Sequence, residues 1–296
     1  MRLIHLSDVH TWRIERRPWR LLGKTAFATI ELLAGRAGRF RLDRLEPLVA
    51  RIVAREPDHI LVTGDLTTTA AVPEFEHARR ALAPLLNDRG RVTVIPGNHD
   101  RYTWSAVRRR RFEAYFGEFS GTGPYPWTRV LAPGTVLVGL DPTRAGATAR
   151  GRLPEVQLER LRKLVESLSG KNLRVIVACH YPLAAPPLWA KQLHSKRLLH
   201  ADEVARALKP LGAHLYCCGH VHAPWAFAPS FPPRQLCLNP GAAVFRDPNG
   251  HRHAGFLEVE LDHNDVRAVE HRWLDGSWSE VTLANVSGFF GPSPAK

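Results

Sequence analysis

The stretch at residues 92–100 constrains the fold most, because an apolar run ends there in a cluster of polar side chains. Residues 92–95 read Val-Thr-Val-Ile, which predicts a buried strand. A Pro-Gly pair then ends the strand and turns the chain sharply. The next three residues, Asn98, His99 and Asp100, therefore project from the carboxyl end of a central strand. Open α/β sheets bind their ligands at that edge.

A rhythm of strand followed by helix recurs along the chain. Apolar β-branched runs alternate with amphipathic stretches of helical period. Predicted strands cover residues 2–6, 59–63, 92–95, 135–140, 173–178 and 214–218. Predicted helices cover residues 42–55, 74–86, 104–116, 154–169 and 202–209. The rhythm predicts a parallel sheet with right-handed crossovers. Three later segments are expected to alternate as antiparallel strands, at residues 235–239, 254–260 and 265–273.

Five of the predicted strands end on side chains that bind metals or move protons. These residues are Asp8 and His10, Asp65, Asn98 and His99, His180, and His220 and His222. The carboxyl ends of parallel strands meet at one edge, so we expect these side chains to converge on one sheet edge. Mixed oxygen and nitrogen donors suit Mn, Fe, Zn or Co better than Ca or Mg. The sequence therefore predicts a centre of two metal ions, whose identity it leaves open.

The charge of the chain favours an anionic partner. The 296 residues carry a formal charge of +13, and 44% of them are hydrophobic, enough for a sizeable core. A basic protein attracts phosphate esters, nucleic acid or an anionic membrane surface, although an arginine-rich proteome gives the same charge. Nucleic acid is the weakest of these partners. The basic residues cluster in one segment and form no stripe with stacking aromatic residues.

Cysteine usage and hydropathy suggest a cytoplasmic protein. The four cysteines form no CxxC pair, and two of them are adjacent in an apolar run. That pattern is typical of reduced, buried thiols. The chain begins directly with a predicted strand and has no signal-peptide pattern. It contains no run of 18 apolar residues, so no membrane span is predicted.

Residues 11–41 are predicted to be a basic insertion in a single domain of residues 1–283. They contain eight arginine and lysine residues against two glutamates, and apolar residues recur there at helical spacing from Trp19 onward. A basic amphipathic helix is typical of an element at an anionic membrane surface, peripheral to the inner face of the membrane. The alternative is a lid helix that buries its apolar face on the body of the protein. Residues 284–296 are expected to form a partly mobile tail.

The order of the polar blocks resembles that of the calcineurin-like metallophosphoesterases. The blocks are Asp-x-His, Gly-Asp, Gly-Asn-His-Asp, a single His after a strand, and Gly-His-x-His, over roughly residues 2–262. The resemblance implies an α/β fold, a four-layer αββα sandwich of two mixed β-sheets flanked by helices. The late antiparallel strands would then belong to the second sheet.

The same resemblance implies a role for each residue of the cluster. One metal would be held by Asp8, His10 and His222, and the second by Asn98, His180 and His220. Asp65 would bridge both metals. His99 would be the general acid or the group that stabilises the transition state, oriented by Asp100. Two such metals imply hydrolysis of a phosphodiester by attack of a metal-bridging hydroxide.

The substrate is less well specified by the sequence. Within the superfamily, the chain resembles the bacterial cyclic-nucleotide phosphodiesterases, including at residues 140–143 and 151–158. The insertion departs from that branch and favours an alternative, a UDP-diacylglucosamine-type lipid pyrophosphate hydrolase at the membrane surface. A nuclease or a non-catalytic scaffold has weaker support, since no ligand block is lost. His194 follows a Pro-rich loop near His180 and is a candidate substrate-binding residue. The oligomeric state stays open.

Overall fold

The computed structural model of the chain describes residues 1–13, 37–146, 148–274 and 276–291. Residues 14–36, which hold most of the predicted insertion, and the final residues 292–296 of the predicted tail lie outside this part. Among the described residues, no helix is both long enough and apolar enough to cross a membrane. The elements are numbered below in chain order.

Six strands form the first sheet. They are β1 (Arg2–Leu6), β2 (His59–Val62), β3 (Val92–Val94), β12 (Ala254–Asp262), β13 (Asp265–Leu274) and β14 (Ser277–Val286). Their order across the sheet is β14-β13-β12-β1-β2-β3. The three strands from the start of the chain run parallel to one another, and β12 pairs antiparallel with β1. The sheet is therefore mixed.

Six further strands form the second sheet. They are β4 (Trp127–Ala132), β5 (Thr135–Gly139), β7 (Arg174–Ala178), β9 (His214–Cys217), β10 (Pro224–Phe227) and β11 (Gln235–Pro240). Their order is β10-β11-β9-β7-β5-β4, with the four inner strands parallel and the two edge strands antiparallel. A small parallel pair joins β6 (Gly151–Arg152) to β8 (Leu198–Leu199).

Helices connect the strands of both sheets. The α-helices are α1 (Ala37–Arg39), α2 (Leu45–Val53), α3 (Val72–Ala81), α4 (Trp104–Arg108), α5 (Arg111–Phe116), α6 (Glu155–Leu168), α7 (Ala190–Lys196) and α8 (Ala201–Leu208). Short 3-10 turns lie at Leu42–Arg44, Ala83–Leu85, Arg89–Arg91, Gly117–Phe119, Pro187–Trp189 and Lys209–Leu211.

The two sheets pack face to face, with the helices on their outer faces. Side chains alternate along β1, so that Leu3 lies in the core between the sheets whereas Ile4 packs under the helices. On the second sheet, Ile176 joins the central core and Val177 joins the core under α6 and α8. Three hydrophobic layers thus separate four layers of backbone. The predicted αββα sandwich is confirmed.

The pairing of the late strands differs from the prediction. β12 and β13 extend the first sheet, through β1, and do not belong to the second sheet. β11 pairs parallel with β9, whereas an antiparallel strand was expected there. β14 was not predicted, and it continues past the expected domain limit at residue 283 to Val286. Local hydrophobic patterns indicate a strand but do not encode its distant partner, which explains these errors.

A buried histidine on β2 should make stability depend on pH. The Nε2 atom of His59 lies 2.8 Å from the Thr93 hydroxyl, and burial, with the charge of Arg129, lowers the pKa of His59 to about 3. The unfolded chain takes up a proton below pH 6.5, while the folded chain does not. The free energy of unfolding therefore falls as the pH drops below 6.5. The unchanged protein should lose free energy of unfolding between pH 7 and pH 5, and His59→Gln should make that loss smaller by about 2 kcal/mol. Urea unfolding at the two pH values measures the difference.

The matched control is His263→Gln, which changes an exposed histidine in the turn between β12 and β13. It should keep the pH dependence of the unchanged protein. If the free energy of unfolding of His59→Gln fell with pH as much as that of the unchanged protein, protonation of His59 in the unfolded chain would not be the cause.

Candidate metal centre

The predicted ligands come together where the carboxyl ends of the parallel strands in both sheets lie close to one another. Asp8 and His10 follow β1, Asp65 follows β2 and Asn98 follows β3, all in the first sheet. The other three, His180, His220 and His222, follow β7 and β9 of the second sheet. The expectation of a single sheet edge was therefore wrong, because the strands that carry the ligands are divided between two facing sheets.

Five of these residues have left-handed backbone conformations. The φ angles are 53° at Asp8, 48° at His10, 54° at Asp65, 71° at His220 and 59° at His222. A residue with a Cβ pays roughly 1–2 kcal/mol for this conformation. Backbone hydrogen bonds support it, since Asp8 N–H donates to Gly64 O and His10 N–H donates to Asp65 O. Backbone strain of this kind concentrates at functional sites, and here it turns neighbouring side chains toward one point.

The first group of donors joins Asp8, His10, Asp65 and His222. Their donor atoms all lie within 4.8 Å of one another. His222 Nε2 is 3.1 Å from Asp8 Oδ1 and also 3.1 Å from His10 Nε2. His10 Nε2 is 3.6 Å from Asp65 Oδ2. Two carboxylates and two imidazoles thus converge on a single volume.

The second group joins Asp65, His180 and His220, again within 4.8 Å. His180 Nε2 lies 3.2 Å from Asp65 Oδ2, from His220 Nδ1 and from Asn98 Oδ1. The same oxygen of Asp65 therefore faces both groups. This is the geometry needed for a carboxylate that two cations share.

The hydrogen bonds made by the outer ring nitrogens of His180 and His220 indicate that the donor groups suit cations. His180 Nδ1 donates to Thr63 O at 2.7 Å, and His220 Nε2 donates to Ala149 O at 2.8 Å. When both rings are neutral, the remaining nitrogens, which face each other at 3.2 Å, both carry lone pairs and repel each other unless a cation lies near them. Among the described residues, the buried atoms Asp8 Oδ1 and Asp65 Oδ2 also accept no hydrogen bond. The donor set fits two metal ions.

Electrostatics keep the carboxylates of this cluster ionised. Burial alone would raise the pKa of Asp65, but the charges of His180 and His99 hold that pKa well below its usual range. Burial lowers the pKa of His180, yet the Asp65 charge outweighs it and raises that pKa to about 9. The oxygen shared by the two groups therefore attracts positive charge strongly. Burial lowers the pKa of His222 to about 3, so this ring is neutral and able to act as a ligand.

His99 lies beside the donors, and its ring is held by the backbone. Its Nδ1 donates to Thr68 O at 2.6 Å, and its backbone N–H donates to Asp65 Oδ1 at 2.8 Å. The ring centroid is 4.8 Å from that of His10, and the ring stacks on Tyr102 at 5.5 Å. His99 is thus positioned next to the first group.

Asp100 acts differently from the prediction that it orients His99. Its carboxylate accepts hydrogen bonds from the backbone N–H groups of Gly97, Leu66 and Thr67, and from the Thr67 hydroxyl. The Thr68 carbonyl accepts a hydrogen bond from the His99 ring and so helps to orient it. Asp100 therefore fixes the loop after β2, and this loop in turn holds His99. Burial, and after it the charge of Asp65, raise the pKa of Asp100 to about 6.

Comparison with known proteins identifies the family. The sequence profile of the calcineurin-like phosphoesterases matches residues 1–224, about three quarters of the chain. The chain belongs to this family. A probable cyclic nucleotide phosphodiesterase of Synechococcus sp. strain WH7803 is 26% identical over 235 residues, which cover 76% of this chain and 75% of that protein. The resemblance found in the sequence is confirmed, and the protein is a phosphoric ester hydrolase.

A solved structure supports the fold of this phosphoesterase. The dimetal phosphatase of Danio rerio superposes with a TM-score of 0.66 at 14% identity, covering 96% of this chain and 99% of that one. At this identity the likeness concerns the fold alone. Members of the family use a dinuclear divalent metal centre, and the structure brings together candidate ligand groups for one.

Two glycines of the phosphoesterase motifs allow the backbone to approach the ligands closely. A Cβ on Gly219 would lie 1.9 Å from Ser7 Oγ and 2.4 Å from Asp8 Oδ2. A Cβ on Gly97 would lie 2.2 Å from Asp65 Oδ1. No other residue type fits either position without displacing a predicted ligand. This explains why these two ligand motifs begin with glycine.

Sequence reasoning missed several residues that support the ligands. Asn239 binds the Gly-His turn, since its Nδ2 donates to Gly219 O at 2.7 Å while its Oδ1 accepts from Gly241 N–H. The polar Asn-Pro-Gly end of β11 is the signal that would have found it. Phe40 packs on His10 with ring centroids 4.5 Å apart, and Lys196 Nζ donates to His220 O at 3.2 Å. No sequence pattern indicated these two contacts.

His194 lies apart from the other predicted site residues. Its side chain is exposed on α7 and lines a hollow of about 540 Å³ with Leu183, Arg197 and Asp202. None of the predicted metal ligands lines this hollow. A role for His194 in substrate binding stays a prediction.

The close approach at Gly219 gives a test of the packing. Gly219→Ala should lower the free energy of unfolding of the metal-free protein by about 1–3 kcal/mol, because the new methyl group displaces Ser7 and Asp8. Chemical denaturation measures the change. The control is Gly38→Ala, where no atom of the described residues lies within 4 Å of the new Cβ, and its effect should stay within about 0.5 kcal/mol. Equal effects of the two changes would contradict the packing described.

Proposed function

We propose that the protein is a dinuclear metal-dependent phosphodiesterase and that its substrate is a cyclic nucleotide. The observation that carries the proposal is the pair of donor groups that share Asp65 Oδ2, with His99 beside them. Two metal ions, when bound, clamp a phosphoryl group and supply a nucleophile at neutral pH by lowering the pKa of water. The mixed donors suit Mn, Fe, Zn or Co.

The proposed ligands follow the two donor groups. Asp8, His10 and His222 would hold one ion, and Asn98, His180 and His220 the other, with Asp65 serving both. The ring nitrogens of His180 and His220 that face away from the centre are tied to the backbone oxygens of Thr63 and Ala149. These bonds fix each tautomer so that a lone pair points inward. The donor atoms of the centre would therefore already be arranged for two cations before any ion binds.

His99 is proposed to handle the proton of the leaving group. Its Nδ1 donates to Thr68 O, so the proton that it gives up is carried on Nε2. An alkoxide leaving group needs a proton or a positive charge as its bond to phosphorus breaks. Protonated His99 would supply the proton and the positive charge from the same atom, Nε2. Stacking on Tyr102 prevents the ring from turning away.

The choice of a cyclic nucleotide is supported by the Synechococcus relative, which is named a probable cyclic nucleotide phosphodiesterase. The alternative is a UDP-diacylglucosamine-type lipid pyrophosphate hydrolase at a membrane surface. One observation favours this alternative. Trp12 Nε1 donates to Phe40 O at 3.0 Å, and the Phe40 ring contacts His10. Two residues that flank the segment 14–36, Trp12 and Phe40, therefore lie together beside the first donor group.

Residues 11–41 keep both proposed roles, as a lid or as an element at an anionic membrane surface. The part that would decide between them, residues 14–36, lies outside the described residues. A cytoplasmic location is also a proposal. It is supported by the four cysteines, all of them buried and free.

The first test concerns metal content and substrate. After reconstitution with Mn²⁺, the protein should bind two ions per chain by elemental analysis and hydrolyse bis-p-nitrophenyl phosphate. Cyclic AMP should be hydrolysed faster than UDP-diacylglucosamine in the same assay. Asp65→Ala should lose both ions, since Asp65 alone belongs to both donor groups. Trace metal together with no turnover would refute the phosphodiesterase, and a preference for UDP-diacylglucosamine would establish the alternative.

The second test separates His99 from the ligands. His99→Ala should keep both Mn²⁺ ions and lose about 10²–10⁴ in kcat on bis-p-nitrophenyl phosphate, the usual size of general-acid catalysis. His263→Ala, which changes an exposed histidine at the opposite end of the first sheet, should keep the full rate. Loss of metal from His99→Ala would instead make His99 a ligand.

A further inference from the structure

Polar contacts join the two sheets at the edge that carries the candidate metal centre, and three of them connect different pairs of strands. His220 N–H, after β9, donates to Asp8 Oδ2, after β1, at 2.9 Å. His180 Nδ1, after β7, donates to Thr63 O, after β2, at 2.7 Å. The third contact links the turn after β3 to the end of β5. These three contacts link each of the three parallel strands in the first sheet to a different strand of the second.

The third contact is the ion pair of Arg101 with Asp141. Arg101 Nη2 lies 3.2 Å from Asp141 Oδ2 and donates to Glu113 Oε1 at 2.8 Å, with only 12% of the Arg101 side chain exposed. The guanidinium also lies over the Phe112 ring, 5.7 Å from its centroid. Arg101 is therefore fixed by Asp141 at the end of β5, by Glu113 on α5 and by an aromatic face.

Both ends of this ion pair are anchored close to the centre. The backbone N–H of Arg101 donates to Asn98 O, within the turn that carries a proposed ligand. On the other sheet, Gln157 binds the backbone of Asp141 twice, through its amide oxygen at 2.9 Å and its amide nitrogen at 3.0 Å. Thr143 N–H donates to Asp141 Oδ1 at 3.0 Å. Asp141 is thus a rigid point against which the turn after β3 is held.

We propose that Arg101 is a positioning residue that sets the separation between Asn98 and the histidines of the second sheet through its ion pair with Asp141. The inference rests on the proposed dinuclear centre. A mostly buried ion pair adds little to stability, because desolvation offsets its attraction. Its value lies in the single geometry that it permits. Here that geometry brings Asn98 Oδ1 to 3.2 Å from His180 Nε2.

The proposal makes the two metal sites respond differently. The strand before Arg101, β3, contributes Asn98 to the second donor group and nothing to the first. The two contacts described with it involve Asp8, His180 and His220, which are proposed ligands, so they cannot be removed without touching the centre. Arg101 and Asp141 are not ligands. Loss of their ion pair should weaken the second metal site and spare the first.

The experiment is a titration of the metal-free full chain with Mn²⁺. Arg101→Met keeps the unbranched apolar part of the side chain and removes the charged guanidinium. We expect the first ion to bind as in the unchanged protein and the second to bind about 10–100-fold more weakly, the usual effect of a residue that supports a ligand. Electron paramagnetic resonance at two equivalents should then show signals of isolated Mn²⁺ in place of a coupled pair.

The matched control is Arg55→Met. Arg55 forms a comparable ion pair with the buried Glu258, at 2.6 Å and 3.0 Å, and contacts none of the proposed ligands. This variant should bind both ions as the unchanged protein does, whatever its melting temperature. Asp141→Asn removes the ion pair from the other side and should reproduce the selective loss, which keeps the proposal testable if Arg101→Met does not fold.

Two results would overturn the proposal while leaving the centre in place. One is that Arg101→Met and Asp141→Asn bind both ions normally. The other is that they weaken both ions equally. If the unchanged protein binds fewer than two Mn²⁺ ions, the dinuclear centre itself is wrong, and the inference falls with it.

Discussion

The carboxylate of Asp65 is the group on which the rest of the centre depends. Its Oδ1 accepts the backbone N–H of His99, and its Oδ2 faces His10 on one side and His180 on the other. A fully buried carboxylate needs compensating charge or donors on every side. The surrounding histidines provide part of this compensation, and the unsatisfied oxygen points to the place where cations would supply the remainder. The facing sheets, the tight turns and the support of His99 all converge on this one side chain.

The turns show how the backbone accommodates such a crowded cluster. Left-handed conformations at residues with a Cβ are unfavourable one by one, yet five of them occur within this small region. They persist because neighbouring loops share their hydrogen bonds, as those after β1 and β2 do at Asp8 and His10. Glycines at 97 and 219 then let the turns approach the carboxylates of Asp65 and Asp8. The centre is thus built from local strain held in place by long-range contacts.

Much of this arrangement was predictable from local sequence. The strand ends identified Asp8, Asp65 and His220 as neighbours in space, since polar residues after an apolar run mark the binding edge of an α/β sheet. The assignment of strands to sheets was not predictable. β12 and β11 have the patterns of ordinary strands, but their partners are β1 and β9, far away in the chain. Pairing depends on the whole fold and is not written in any one segment.

The same limit applies to Asp100. Adjacent in sequence to His99, it was expected to orient that ring, but the turn directs its carboxylate toward the backbone of the loop after β2. Neighbours along a chain point in different directions once the chain turns sharply, so adjacency is weak evidence of contact. The supports of His180 and His220 are backbone carbonyls, which carry no sequence signal at all.

The hydrogen bond between Trp12 and Phe40 has an evolutionary consequence. It holds the two flanks of residues 14–36 side by side, next to His10. A segment whose ends are already joined can be lengthened, shortened or exchanged at little cost in loop-closure entropy. At such a junction, a segment can be replaced and the substrate specificity can change while the metal ligands are inherited unchanged. Members of one family that share every ligand could diverge in substrate through this junction alone.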